Sequence, residues 1–269
     1  MVVVGPTAAT REAHDSLLSL RETAGPHDEI GAGRRRGYPS PVGLLILVRH
    51  ALTEATGRRL SGRTPGIHLS EEGRRQAAQL GERLAPVPLA AVYASPLERC
   101  LETAEAIATP RRMPVREVPE LAEVDYGRWT GRSMPQLVRT ALWRKVQQTP
   151  SAVTFPEGEG LIDAQRRSVA ALEEIAGRHQ RAAVAVVSHA DVIRLVLAHY
   201  AGLHIDLFQR LIVSPASVSA IALGDRIPRI VRMNDTGGLD DLASRRSPRD
   251  GQRRTSTPSK RPSGRARGT

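Results

Sequence analysis

A chain of 269 residues with 40 % apolar side chains can bury a real core, in one large domain or two small ones, but at 3 % aromatic content Leu, Val, Ile and Ala must do most of the packing. The single cysteine, Cys100, excludes an internal disulfide and any multi-cysteine zinc site, and no apolar run nears the length of a membrane-spanning helix. The formal charge of +11 invites a nucleic-acid reading, but beyond Leu239 nine basic residues face three acids, so +6 of the excess sits on the tail.

Residues 1–41 are rich in Gly, Pro, Thr and charge and include the run GAGRRRGYPSP. Only a weak helical pattern appears, near residues 10–20, and the segment is expected to be a disordered extension. A start of translation near Val42 would make it an artefact of the assigned start. The short Val run after Met1 has no basic leader before it, a poor signal peptide, so the expected compartment is the cytoplasm. Residues 240–269 form a second expected disordered segment, basic and rich in Ser, Pro and Gly. Lysine is nearly absent (Lys145 and Lys260), which suggests a coding bias toward Arg rather than a selected phosphate-binding surface and argues against nucleic acid as a partner. Between the tails, residues 42–239 have the size of one domain.

Within that core the apolar run 44–48 reads as a strand covered on both faces. Ser70 starts a helix with Glu71 and Glu72 in its first turn. Residues 90–94 form a second strand, and the SPLE stretch 95–98 has the pattern of a capping box, with Ser95 as cap and Pro96 at the first helical position. A long helical pattern covers 161–178, a buried strand 183–187, and a helix 191–200. Residues 218–223 and 227–233 read as two strands joined by a turn at Gly224-Asp225. Such alternation predicts an α/β fold, a three-layer α/β/α sandwich around a mostly parallel sheet.

Reactive residues fall at strand ends. Arg49 and His50 follow the first buried strand, His189 follows Ser188 after another, and Arg99 lies one turn into a helix just after a third. Carboxyl ends of strands form the ligand crevice of open α/β sheets. Two guanidinium forks and an imidazole can surround the oxygens of a phosphoryl group, and a second, neutral imidazole can attack phosphorus. The stretch LAEVDYGRWTG, 121–131, offers two carboxyls as proton donor to the leaving oxygen, Glu123 and Asp125.

Four blocks, LVRHALT (47–53), SPLERCLETAE (95–105), LAEVDYGRWTG and AVVSHADVIRLVL (185–197), resemble the signature of the histidine phosphatase, or phosphoglycerate-mutase-like, superfamily. The likeness covers about 42–236. The stretches GRTPGIHLSEEGR, LFQR and NDTGG are similar to a bacterial subgroup described as phosphomutases. The resemblance implies a phosphoryl-transfer enzyme acting on a small phosphorylated substrate without metal or other cofactor. It implies His50 as the phosphorylated nucleophile, Arg49, Arg99 and His189 as the phosphate pocket, and Glu123 as the acid that later activates water. One branch has an acidic residue directly after the second histidine. Here that position is Ala190, which favours Glu123, with Asp125 as the alternative.

Departures from the family pattern matter. Ala51 stands for the usual glycine, and Leu52 and Thr56 stand where many members have a Glu and an Asn, which puts phosphoglycerate in doubt as substrate. The core looks short for the segments with which mutases close their site, favouring a phosphatase over a mutase. Thr53, Thr56 and Arg63 are further candidate substrate contacts, with turn roles as the alternative for Thr53 and Arg63. Trp129, Trp143 and Phe155 could line a substrate mouth or cover the core. Cys100 is read as a buried small apolar residue. A zinc site on His189 and Asp191 lacks further ligands at suitable spacing. A homodimer is left open, and a catalytically weak regulatory or binding module with a nucleic-acid-binding tail is the alternative of another class.

Overall fold

The computed structural model describes residues 43–223 and 227–237. The expected N-terminal extension with its helical pattern, the basic tail and the Gly224-Asp225 turn lie outside the described residues.

Among the described residues, six strands form one sheet in the order β3-β2-β4-β1-β5-β6. They are β1 (Gly43–Arg49), β2 (Leu89–Ala94), β3 (Val115–Glu117), β4 (Ala183–Ser188), β5 (Val218–Leu223) and β6 (Arg229–Asp235). β1, β4, β2 and β3 run parallel, and β5 is antiparallel to both β1 and β6. The mostly parallel sheet expected from the alternation is therefore present. β3 was not legible: its three residues, Val115, Arg116 and Glu117, are too few for a periodic signal and are stabilised by pairing with β2.

The helices longer than two turns are α1 (Glu71–Leu84), α2 (Glu98–Ala108), α4 (Ala141–Gln148), α5 (Leu161–Arg178) and α6 (Ala190–Tyr200), with a short α3 at Met134–Leu137. Alternate side chains of the central strands divide the core into two layers. Ile46, Val48, Val92, Ala185 and Val187 pack against Leu80 and Leu84 of α1 and Ile107 of α2. Leu45, Leu47, Tyr93, Val184 and Val186 pack against Leu172 and Ile175 of α5 and Val196 and Leu197 of α6. Both faces of the sheet are thus covered, which is why β1 and β4 are apolar throughout rather than alternating.

A third apolar cluster lies apart from the sheet layers. Val124, Tyr126, Trp129, Phe155 and Phe208 gather there from the loop after β3, the turn before α5 and the short 3-10 helix Ile205–Arg210. Among the described residues, no helix is long and apolar enough to cross a membrane.

Two local expectations meet different outcomes. Ser70 caps α1 as its sequence suggests, its hydroxyl accepting from the Gly73 N–H at 3.0 Å. Ser95 does not cap α2: the helix begins at Glu98 with Leu97 as its N-cap and no side-chain cap bond. The Ser95 hydroxyl accepts locally only from the Leu97 N–H, at 3.4 Å, and its shorter contact, 2.8 Å, is to His189, a tertiary partner that sequence spacing does not reveal.

Candidate active site

The register of the sheet brings the reactive residues together. Arg49, the last residue of β1, pairs with Ser188, the last of β4, and Ala94 at the end of β2 pairs with Val187. The backbone stitches these ends further: His50 N–H donates to Ser188 O and Ser95 N–H to Val187 O, each at 2.9 Å. His50 and His189, separated by most of the domain in sequence, end with ring centroids 5.3 Å apart in an edge-on arrangement.

The loop carrying His50 is held from beneath. Ala51 N–H donates to Thr103 Oγ1 of α2 at 3.1 Å, and Leu52 N–H to Gln76 Oε1 of α1 at 3.2 Å. Gly73 lies so close that a Cβ there would sit 1.9 Å from the Leu52 carbonyl oxygen. The glycine is needed for approach, not for a special backbone angle.

His50 Nδ1 lies 2.8 Å from the Ala51 carbonyl oxygen. A carbonyl only accepts, so Nδ1 carries the proton and Nε2 keeps its lone pair. Burial, helped by the charges of Arg99 and Arg49, pushes the imidazole pKa down to about 3. The ring is therefore neutral at physiological pH, as a nitrogen nucleophile must be. His189, fully buried, is likewise held well below its ordinary value by burial and by Arg99. Its Nε2 lies 2.8 Å from Ser95 Oγ and 3.4 Å from Cys100 Sγ. Burial pushes the Cys100 thiol up, which leaves it an inert packing group.

Both arginines are half-committed. Arg49 Nη1 donates to Val213 O and Arg99 Nη2 to Gly62 O, each at 2.7 Å. Arg49 Nε and Arg99 Nη1 are buried without a partner among the described residues, and neither guanidinium has an ion pair there. Arg99 is 2 % exposed, so its side chain is turned into the protein rather than out from the surface of α2. A buried and a partly buried guanidinium, each with a buried donor left unpaired among the described residues, beside two neutral imidazoles make a site that an anion would stabilise.

Glu123 supplies the complementary group. Burial first, then the Asp191 carboxylate, lift its pKa from 4.5 to about 7, against the pull of the Val124 N–H, which it accepts at 3.0 Å, and of Arg99 and Arg49. A carboxyl so poised can give a proton and take one back near neutrality.

Arg49, His50, Arg99 and Glu123 open onto one cavity of about 430 Å³, whereas His189, fully buried, does not line it and lies instead against the His50 ring. Thr53 and Thr56 also line it, though their hydroxyls lie 3.0 Å from one another and shape the loop as well. Arg63 and Asp125 do not line it. Arg63, expected as a substrate contact, instead donates to the Glu123 carbonyl at 2.8 Å and to Glu159 Oε1 at 2.9 Å. Asp125 accepts from Gly127 N–H, so of the two carboxyls of the 121–131 stretch it is Glu123 that lines the cavity.

Trp129, Trp143 and Phe155 serve both purposes weighed for them. They line the outer wall, while Trp129 and Phe155 are also buried in the third cluster, and the indoles stack at 6.2 Å. Asp191, which also lines the cavity, accepts from Tyr126 Oη at 2.6 Å and from Arg194 Nη1 at 2.9 Å. Sequence reasoning weighed Asp191 only as a zinc ligand beside His189 and gave it no place in the site. The spacing of Asp191 and Arg194 within the first turn of α6 was visible as an i, i+3 pair, but its place in the cavity was not.

A mostly parallel sheet whose central strand ends converge on two imidazoles, two uncompensated guanidinium groups and a carboxyl of raised pKa defines an enzyme that transfers phosphoryl groups. Residues 45–236 match the histidine phosphatase superfamily (branch 1), and the chain belongs to that family. It is similar to phosphoserine phosphatase 1 of Hydrogenobacter thermophilus, 32 % identical over 203 residues that cover 74 % of this chain and 95 % of that protein. Among solved structures it resembles Bacillus stearothermophilus YhfR, with a TM-score of 0.68 at 29 % identity over 72 % of this chain and 97 % of that one. The α-ribazole phosphatase of Shigella flexneri is also similar, with a TM-score of 0.64 at 26 % identity over 72 % and 96 % of the two chains. The protein is accordingly a phosphoryl-transfer enzyme of the histidine phosphatase kind.

Proposed function

We propose that residues 42–239 act as a metal-independent phosphomonoesterase in which His50 becomes phosphorylated. Arg49, Arg99 and His189 hold the three non-bridging oxygens of the substrate. His50 Nε2 attacks phosphorus as the ester P–O bond breaks, and the Glu123 carboxyl protonates the departing alcohol oxygen. In the second half, the Glu123 carboxylate takes a proton from water, the oxygen bonds to phosphorus, and the P–N bond to His50 breaks, releasing inorganic phosphate. The protein contributes position and charge rather than further covalent steps.

The observation that carries this reading is the pairing of an imidazole whose Nε2 lone pair is fixed by the Ala51 carbonyl with two guanidinium groups that each have a buried, unpaired donor, Arg49 Nε and Arg99 Nη1. The substrate is read as a small phosphorylated metabolite. Phosphoserine, the substrate named for the Hydrogenobacter relative, is the first compound to test. Leu52 and Thr56 speak against phosphoglycerate, and the Trp129 and Trp143 wall favours a less polar organic group. We also read the protein as cytoplasmic, from its single cysteine, and its basic tail as no nucleic-acid site.

The test is a phosphomonoester screen of wild type and His50→Ala without added metal and with chelator. Wild type should turn over and, when quenched, carry an acid-labile, alkali-stable phosphoryl group. His50→Ala should carry none. A phosphoryl group retained in the variant, or turnover abolished by chelator, would overturn the reading.

A further inference from the structure

Glu123 can serve as an acid only if its backbone is fixed, yet it lies on a stretch with no strand or long helix, between the short 3-10 turns Pro119–Leu121 and Gly127–Trp129. Three distant segments converge on that stretch. Arg63, from the loop after β1, donates through Nε to the Glu123 carbonyl at 2.8 Å. Arg167, from α5, donates to the same oxygen through Nη2 at 3.2 Å and reaches the Glu120 carbonyl through Nη1.

Glu159 ties the two arginines together. Its Oε1 accepts from Arg63 Nη2 at 2.9 Å, Arg167 Nη2 at 2.6 Å and the Asp125 N–H at 2.8 Å. Its Oε2 accepts from Arg167 Nε at 2.9 Å. The backbones interlock too: Glu159 N–H donates to Asp125 O at 3.0 Å. A Cβ on Gly158 would lie 2.3 Å from Asp125 O, and one on Gly127 2.0 Å from Pro156 O. Glu159 and Arg167 are largely buried, with side chains 17 % and 19 % exposed, so this is no solvated surface pair. None of the three residues lines the cavity.

We propose that Glu159 is a positioning residue for the general acid: by neutralising and orienting Arg63 and Arg167, it fixes the Glu123 carbonyl and with it the reach of the Glu123 carboxyl into the cavity. The inference rests on the proposed role of Glu123. Without the carboxylate, two guanidinium groups face one carbonyl with only the Asp125 carboxylate, 3.8 Å from Arg63 Nη1, to offset them; Arg167 loses its acidic partner, and the loop shifts to separate the two cations. A displacement of this kind weakens proton delivery but leaves phosphate binding to Arg49 and Arg99 intact.

The experiment compares Glu159→Gln, Arg63→Gln and Glu123→Gln with wild type on an alkyl phosphomonoester and on p-nitrophenyl phosphate, whose leaving group needs little protonation. Glu123→Gln should depress alkyl turnover far more than aryl turnover. Glu159→Gln should do the same in weaker form, with kcat for the alkyl ester down by about tenfold and KM for both within about threefold. Arg63→Gln, from a side chain 39 % exposed, should fold normally and shift the ratio in the same direction. Equal losses on both substrates, or an unchanged alkyl rate, would overturn the proposal. If thermal melting shows Glu159→Gln to be unfolded, Arg63→Gln decides by the same criterion. Should Glu123→Gln itself fail to discriminate, the acid assignment falls and this inference with it. If Glu123→Gln alone discriminates, only the positioning role is lost.

Discussion

Replacing Asp191 by Asn should move the alkaline limb of the pH–rate profile toward acid. Glu123 holds its proton up to about pH 7 instead of 4.5. At about 1.36 kcal/mol per unit, that rise is worth roughly 3 kcal/mol. Burial is the largest cause and the Asp191 carboxylate the next, so removing that charge should bring the Glu123 pKa down by on the order of one pH unit, about 1.4 kcal/mol. The isosteric change keeps an acceptor for Tyr126 Oη and Arg194 while removing the negative charge. It also leaves Arg194 uncompensated, which acts in the same direction. The sign is fixed: losing a neighbouring anion makes ionised Glu123 cheaper, so the acid is lost at lower pH.

The assay is kcat/KM for an alkyl phosphomonoester across the pH range, which reports the free enzyme. Wild type should lose activity above about pH 7. The variant should lose it above about pH 6, falling about tenfold below wild type at about pH 8 and matching it near pH 5. On the acid side, substrate ionisation near pH 6 sets the limb, because His50 stays neutral down to about pH 3. A limb that stays fixed, or moves to higher pH, would refute the electrostatic link between Asp191 and Glu123.

Arg99→Lys keeps the charge but loses the fork that serves Gly62 O and the cavity at once; kcat/KM should fall by about 10²-fold, with weaker inhibition by inorganic phosphate. A loss under about threefold would show that a point charge suffices. Gly73→Ala forces a Cβ against the Leu52 carbonyl oxygen, 1.9 Å away, and should cost about 1–3 kcal/mol of stability. That is a drop of about 2–4 °C in Tm per kcal/mol, together with lower kcat because the displaced loop carries His50. Unchanged melting and turnover would show that α1 does not hold the loop.

Much of the fold was legible because local chemistry and burial agreed. The runs that became β1 and β4 are apolar throughout, as strands covered on two faces must be, and Ser70 with two following glutamates specified the start of α1. Arg49, His50, Arg99 and His189 were visible as residues at or near strand ends, and Glu123 as a carboxyl in the 121–131 stretch, in four blocks of one family pattern. The errors fall where a long-range partner outcompeted a local one. Ser95 gives up its capping pattern for His189, and Arg63 turns from the cavity to Glu123 O and Glu159.

The sequence by itself determined which side chains could do phosphoryl chemistry, since residue type and proximity to a strand end are local properties. Only the tertiary structure decided their state and their choice. The pairing of β1 with β4 sets the two imidazoles side by side, and burial, an effect of the whole assembly, lowers one group and raises another. Glu123 and Asp125 are two residues apart in one loop, yet one faces the cavity and the other a guanidinium and a backbone amide. Spacing along the chain carries no record of that division, because the solvent and the charges that distinguish the two carboxyls come from segments far away in sequence.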